Sequence, residues 1–141
     1  MSQWKPVYII ADIGINHNGD MEIVRNLINR ASSIGCDAVK FQKRTLDIVY
    51  SEEMLASPRE SPWGNTQRAQ KEGLELGQTE YKEIDTLCRE LGIDWSASAW
   101  DLNSLKFIRQ FDVKFNKVAS AMTTDQSIVT KRSDLSSRAS I

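Results

Sequence analysis

The chain has 141 residues, with 18 Lys or Arg against 19 Asp or Glu, 40% hydrophobic residues and a formal net charge of −1. That length suits one domain with a real core. The balanced charge argues against a nucleic-acid partner or an acidic membrane surface, and no apolar run nears the roughly 18 to 20 residues of a membrane span.

The N-terminal stretch MSQWKPVYIIADIG carries one Lys and an acid inside a short apolar run, so it does not read as a signal peptide and a cytoplasmic setting is expected. Val7 to Ile13 is almost continuously apolar, as a strand covered on both faces should be. Asp20 is placed to cap a helix, with Glu22 in its first turn. Val24, Leu27, Ile28, Ala31 and Ile34 then form one stripe, and Gly35 stops it. A second strand is predicted from Ala38 to Gln42.

Residues 43 to 78 lose the rhythm, with Pro58, Pro62, Gly64, Gly73 and Gly77 among mixed charges. They read as a long connection holding a short helix near Ser51 to Ala56, of the kind that compact domains keep for function. Next come a helix capped at Thr79, with Tyr81, Ile84, Leu87, Cys88 and Leu91 on one face and Gly92 as its stop, and a strand from Asp94 to Ala99. Asp101 is expected to cap a helix running to about Phe111, and Phe115 to Ser120 reads as a fourth strand. Beyond Asp125 the segment QSIVTKRSDLSSRASI has no sustained periodicity and is expected to be a divergent, disordered tail. Cys36 and Cys88 lie in or beside helical patterns and read as buried, reduced thiols.

Alternation of strand and helix implies a parallel sheet with right-handed crossovers, either an open doubly wound sheet or part of a (β/α)8 barrel. In both architectures ligands sit at the carboxyl ends of the strands. Those ends carry Asp12, then Lys40 and Gln42, then Ser98, then Lys117 and Ser120. A polar group inside an apolar strand is costly unless it faces a wet mouth or a partner. Two lysines converging with two hydroxyls suit a phosphate or a carboxylate, and a nearby carboxylate can orient a hydroxyl or take a proton. His17 has no second histidine or cysteine beside it, so a hydrogen-bonding role is expected rather than metal ligation. Trp95 and Trp100 read as packing groups, Trp100 also as a possible pocket wall.

The segments IIADIGINHNGD, DAVKFQKRT, SPWG, GIDWSASAWD and KVASAMTTD, in this order, resemble the sialic acid synthase family over about residues 7 to 125. Members of that family condense phosphoenolpyruvate with an N-acyl-mannosamine-type sugar, giving a nonulosonic acid and phosphate. The resemblance implies the N-terminal half of a (β/α)8 TIM barrel, about four parallel strands with three or four helices, over residues 1–125, followed by a divergent tail at 126–141.

By position it implies that Lys40, Ser98, Lys117 and Ser120 hold the phosphate or carboxylate of phosphoenolpyruvate, and that Gln42 lies near the sugar. Asp12 falls where many members have Glu, a residue tied to the sugar and to proton transfer; Asp keeps the charge and withdraws it by one methylene. The resemblance further implies a homodimer and a divalent metal, manganese or magnesium, that polarises the sugar aldehyde. The family's metal-binding histidines and its Ser-Thr-Gly phosphate turn fall in the second half of the barrel, so the metal ligands are expected to be missing here. This polypeptide alone is accordingly expected to be an impaired synthase. A non-catalytic half-barrel that binds phosphoenolpyruvate or sugar, or an assembly partner, are the other expectations.

Overall fold

The computed structural model describes residues 6–124 together with Gln126 and Ile128. Four strands form one parallel sheet in the order β1-β2-β5-β6: β1 (Ile10–Gly14), β2 (Ala38–Lys43), β5 (Asp94–Ala99) and β6 (Lys117–Val118). A separate antiparallel hairpin joins β3 (Pro58–Ser61) to β4 (Gly64–Thr66). The chain is thus an α/β half-barrel, as its alternating periodicity implies. The remainder of the 126–141 tail lies outside the described residues, while Ile128 itself is buried.

Helix α1 (Met21–Ser33) begins where the sequence places it, because the Asp20 carboxylate accepts from the N–H groups of Glu22 and Ile23. Val24, Ile28 and Ala31 are buried, but Ile34 is 77% exposed because it is the C-cap rather than part of the stripe. Helix α5 (Gln78–Leu91) is capped two residues earlier than the expected Thr79: Gly77 is the N-cap, and the Glu80 side chain accepts from its N–H at 2.9 Å. Gly92 closes the helix with φ +67°, a left-handed conformation glycine adopts without strain. Helix α6 (Leu102–Ile108) is shorter than predicted and ends before Phe111.

The core lies between the sheet and α1, α5 and α6. Tyr81 is its centre, with ring centroids 5.3 Å from Phe107, 5.6 Å from Trp95 and 6.2 Å from Phe41. Its hydroxyl, which would otherwise be a buried orphan, donates to the Gln42 carbonyl at 2.8 Å. Trp95 is equally settled, its indole N–H donating to Asp85. Both cysteines are free thiols; burial pushes Cys88 up to about 12, so it stays protonated.

Three further expectations are corrected. The strand expected from Val7 to Ile13 is not covered on both faces: Val7, Ile9 and Ile10 are 81%, 51% and 40% exposed. Val7 and Ile9 precede β1, which begins only at Ile10, and among the described residues β1 has a neighbouring strand on one side alone. The stretch 43–78 is not a structureless connection. It holds α2 (Leu46–Val49), α3 (Glu52–Ala56), the β3–β4 hairpin and α4 (Gln67–Leu74), of which the helix near 51–56 was foreseen. The predicted fourth strand, 115–120, contracts to Lys117–Val118, and Ser120 instead opens a 3-10 turn over Ser120–Met122.

Candidate active site at the strand ends

Parallel register brings the predicted residues to one end of the sheet. Asp12 aligns with Lys40 and Lys40 with Ser96; Gln42 aligns with Ser98 and Ser98 with Lys117. The Lys40 ammonium lies 2.8 Å from an Asp12 carboxylate oxygen and 3.5 Å from the Ser98 hydroxyl. Lys40 is well covered, with a side chain 13% exposed, whereas the Asp12 side chain is 60% exposed. Ser98 is buried, Lys117 half-buried and Ser120 exposed.

Asp12 and Gln42 meet over Gly14, where an added Cβ would stand 3.5 Å from Asp12 Oδ1 and from Gln42 Nε2. The structure therefore brings Asp12, Lys40, Gln42 and Ser98 together. It places Lys117 beside Ser98 through strand pairing, and Ser120 three residues beyond, with its side chain open to solvent.

The turn after β1 is built to hold still. His17 is buried; its Nδ1 accepts from the Gly19 N–H at 3.0 Å, and its ring also hydrogen-bonds the Gly14 backbone. Burial is the main influence on the imidazole and lowers its pKa, Arg44 adding to the effect while Glu75 and the Gly14 bond oppose it. The neutral ring is therefore the one that folds. His17 is a brace for the turn, as expected from its isolation in the sequence, and among the described residues no group of three or more His, Cys, Asp or Glu is placed to hold a metal ion. The described residues alone do not form a site for the divalent cation that the resemblance implies.

Three supports of this end were not legible in the sequence. Asp101, buried, caps α6 through the N–H and hydroxyl of Ser104 and also accepts from the N–H and hydroxyl of Thr45, tying the β2 exit to the β5 exit. The capping role was foreseeable from Asp101 alone; the tie to Thr45, 56 residues away, was not. Glu75 accepts from Arg44 Nε at 2.6 Å and lies 3.5 Å from Lys43 Nζ, which also donates to the Leu76 carbonyl. Finally, the Trp63 indole lies flat on Gly73, where a Cβ would fall 2.2 Å from the ring; a Cβ on Gly19 would meet the Gly73 carbonyl oxygen at 2.1 Å. The two glycines thus let the hairpin tip and α4 close onto the β1 turn.

A four-stranded parallel sheet with lysines, a carboxylate and hydroxyls gathered at its carboxyl edge is the arrangement of half of a (β/α)8 barrel. The NeuB family matches residues 27–138, and the chain belongs to that family. N-acetylneuraminate-9-phosphate synthase of Mus musculus is 36% identical over 122 residues, covering 85% of this chain and 34% of that protein. The Drosophila melanogaster protein of the same name is 36% identical over 131 residues, 92% of this chain and 35% of its own length. N,N'-diacetyllegionaminic acid synthase of Legionella pneumophila is 31% identical over 121 residues. The chain spans about a third of the length of these curated relatives. Among solved structures, the N-acetylneuraminic acid synthetase of Leptospira borgpetersenii superposes with a TM-score of 0.77 over 92% of this chain and 42% of that one, at 23% identity, which establishes the shared fold.

Proposed function

We propose that this chain is the phosphoenolpyruvate-binding half of a synthase that condenses phosphoenolpyruvate with an N-acyl-mannosamine-type sugar. The observation that supports it most is Lys40, held 2.8 Å from Asp12 and 3.5 Å from Ser98 at the mouth of the sheet, in a chain of the NeuB family. Asp12 neutralises Lys40 in the absence of substrate, and being largely exposed it can give way to an incoming oxyanion. Lys40 and Lys117 then act as fixed cations on the phosphate or carboxylate of phosphoenolpyruvate, with the Ser98 and Ser120 hydroxyls as short donors. Cations fixed beforehand cost no reorganisation as charge develops, which is why such groups carry much of a rate.

In the reaction the enol carbon forms a C–C bond to the sugar aldehyde carbon. Water then adds to the resulting oxocarbenium carbon and phosphate departs with its bridging oxygen. Gln42, beside Asp12, is assigned to the sugar, and Asp12 to orienting the sugar or moving a proton. The divalent cation of the family reading would have to be held by groups outside the described residues, and none of the roles above runs through it. The proposed setting is cytoplasmic, with a homodimer as the assembled form and an activity impaired when this polypeptide stands alone.

A second reading, an assembly piece without turnover, is favoured by the exposed Val7 and Ile9 before β1 and the exposed Ile10 on its open edge. Phosphate release from phosphoenolpyruvate with N-acetylmannosamine and Mn²⁺ separates the two. Release that depends on the sugar and is lost in Lys40→Ala supports the synthase. Binding of phosphoenolpyruvate without any release supports the half-barrel that does not turn over, and absence of binding removes the proposed site.

A further inference from the structure

Strand β1 does not run straight into its turn. Its pairing with β2 advances regularly to Asp12 opposite Lys40 and then slips, so that Gly14 rather than Ile13 stands opposite Phe41. One residue too many on one strand is a bulge, a device that re-aims the side chains beside it. Gly14 takes the bend at φ +56°, a left-handed conformation that a side chain would resist. Over it meet Asp12 Oδ1 and Gln42 Nε2, each 3.5 Å from where a Cβ on Gly14 would stand.

One side chain ties this bulge to the turn that follows it. His17 is 2% exposed; its Nδ1 accepts from the Gly19 N–H at 3.0 Å, and the ring donates to the Gly14 backbone. The two bonds together require the neutral ring with its proton on Nε2, since an imidazolium has no acceptor. A proton gained at Nδ1 sets N–H against N–H at Gly19 and frees that end of the turn. The ring packs against Phe41, the register partner of Gly14, with centroids 6.2 Å apart. Burial is the largest influence on it; the charged groups that act on it are Glu75, after α4, and Arg44, after β2, with opposite effects. Glu75 and Arg44 pair with each other at 2.6 Å, so their fields on the ring oppose and burial keeps it neutral.

We propose that His17 is the positioning residue of the mouth: its neutral imidazole fixes the Gly14 bulge, and through it the approach of Asp12 to Lys40 and Gln42, so that anion binding at the strand ends is coupled to the absence of a proton on His17. The role rests on the synthase reading, in which phosphoenolpyruvate binds at this mouth, and names the residue that controls its geometry. Asp12 has a side chain 60% exposed, so the backbone beneath it sets where its carboxylate rests against Lys40. With the bulge released, Asp12 can follow Lys40 and keep it neutralised, and an incoming oxyanion meets a cation already paired. Such coupling is reciprocal: if the neutral ring favours the anion, the bound anion favours the neutral ring by the same factor. The sign is opposite to that of a simple field, because a nearby negative charge favours imidazolium.

His17 is the one histidine of the chain, so its imidazole resonance identifies itself. The test is an NMR pH titration of that ring in the untagged full chain, free and saturated with phosphoenolpyruvate. The expected result is a His17 pKa lowered on saturation by about half a unit or more, a coupling of about threefold. An unchanged or raised value overturns the positioning role while leaving phosphoenolpyruvate at the mouth and the synthase reading in place. Failure of phosphoenolpyruvate to bind overturns that reading and the role with it. Calorimetry adds a second arm above pH 7, where His17→Ala should weaken phosphoenolpyruvate binding by about threefold or more. His17→Gln, whose amide can donate to Gly14 as Nε2 does, should recover most of that loss. It should also lose affinity less steeply than the parent as pH falls, the ligand's own phosphate ionisation being common to both. Equal affinities and parallel pH profiles in all three proteins overturn the role. If His17→Ala loses its thermal transition, the ring titration of the parent decides.

Discussion

Asp12 and Asp101 are the same residue at the exits of two strands of one sheet, yet they live in opposite states. Asp101 is buried and accepts four hydrogen bonds, two from Thr45 and two from Ser104, so its carboxylate is fully spoken for. Asp12 has a side chain 60% exposed and one ion pair, with Lys40. The β2–β5 corner around Asp101 and Thr45 is held in place by saturated polar groups, while the mouth around Asp12, Lys40, Ser98 and Lys117 keeps unused hydrogen-bonding capacity. Groups with all their bonds made support a fold; groups with bonds to spare can bind a ligand.

That contrast breaks first at Asp101. Asp101→Ala strips partners from two buried or half-buried exits at once and is expected to cost about 3 kcal/mol by chemical denaturation; a change below about 1 kcal/mol would show that the corner is not the brace described. Gly73→Ala is next, since its Cβ would fall within 2.2 Å of the Trp63 ring. Displacing the indole should cost about 1–3 kcal/mol, and Trp63→Ala placed in the same chain should recover part of it if the clash is the cause.

At the mouth the order reverses, with small effects on stability and large ones on ligands. Lys117→Ala should weaken phosphoenolpyruvate binding at least tenfold, about 1.4 kcal/mol, with a melting temperature close to that of the parent. Asp12→Asn, given its exposure, should change stability by less than about 1 kcal/mol. In a reconstituted barrel it should lower kcat more than it raises KM if the carboxylate acts in the transition state.

His17 sharpens the same comparison through pH. Its folded pKa lies below the ordinary 6.5, so the unfolded chain takes up a proton that the folded turn resists. Its contribution is present in full above about 6.5 and is lost as pH falls below that value. The parent should therefore lose stability between pH 7 and 5 more steeply than His17→Gln, and parallel curves would remove the imidazole from the turn's support.

The elements around the mouth were legible because their signals are local. Asp20, Gly35 and Gly92 mark helix ends by chemistry that acts within one turn, and the polar strand ends at Lys40, Gln42 and Ser98 stand out against apolar neighbours. Apart from the short helix near 51–56, the 44–76 segment was not legible for the opposite reason. Its hairpin and α4 depend on contacts far apart in sequence, such as Trp63 on Gly73 beside Gly19, and Arg44 with Glu75. The edge position of β1 was hidden as well, because an apolar run reads the same whether a neighbouring strand covers it or not. Asp101 shows the boundary between the two cases: its cap on Ser104 is a three-residue signal, and its hold on Thr45 is purely tertiary.

Amide NMR of the chain titrated with phosphoenolpyruvate tests the central claim most directly. Saturable shifts at Lys40, Ser98, Lys117 and Ser120, absent in Lys117→Ala and absent from Arg25 of α1 and Glu83 of α5, which form an exposed ion pair with each other, are the predicted result. A titration that leaves the four strand-end residues unmoved, or shifts that persist unchanged in Lys117→Ala, would contradict it.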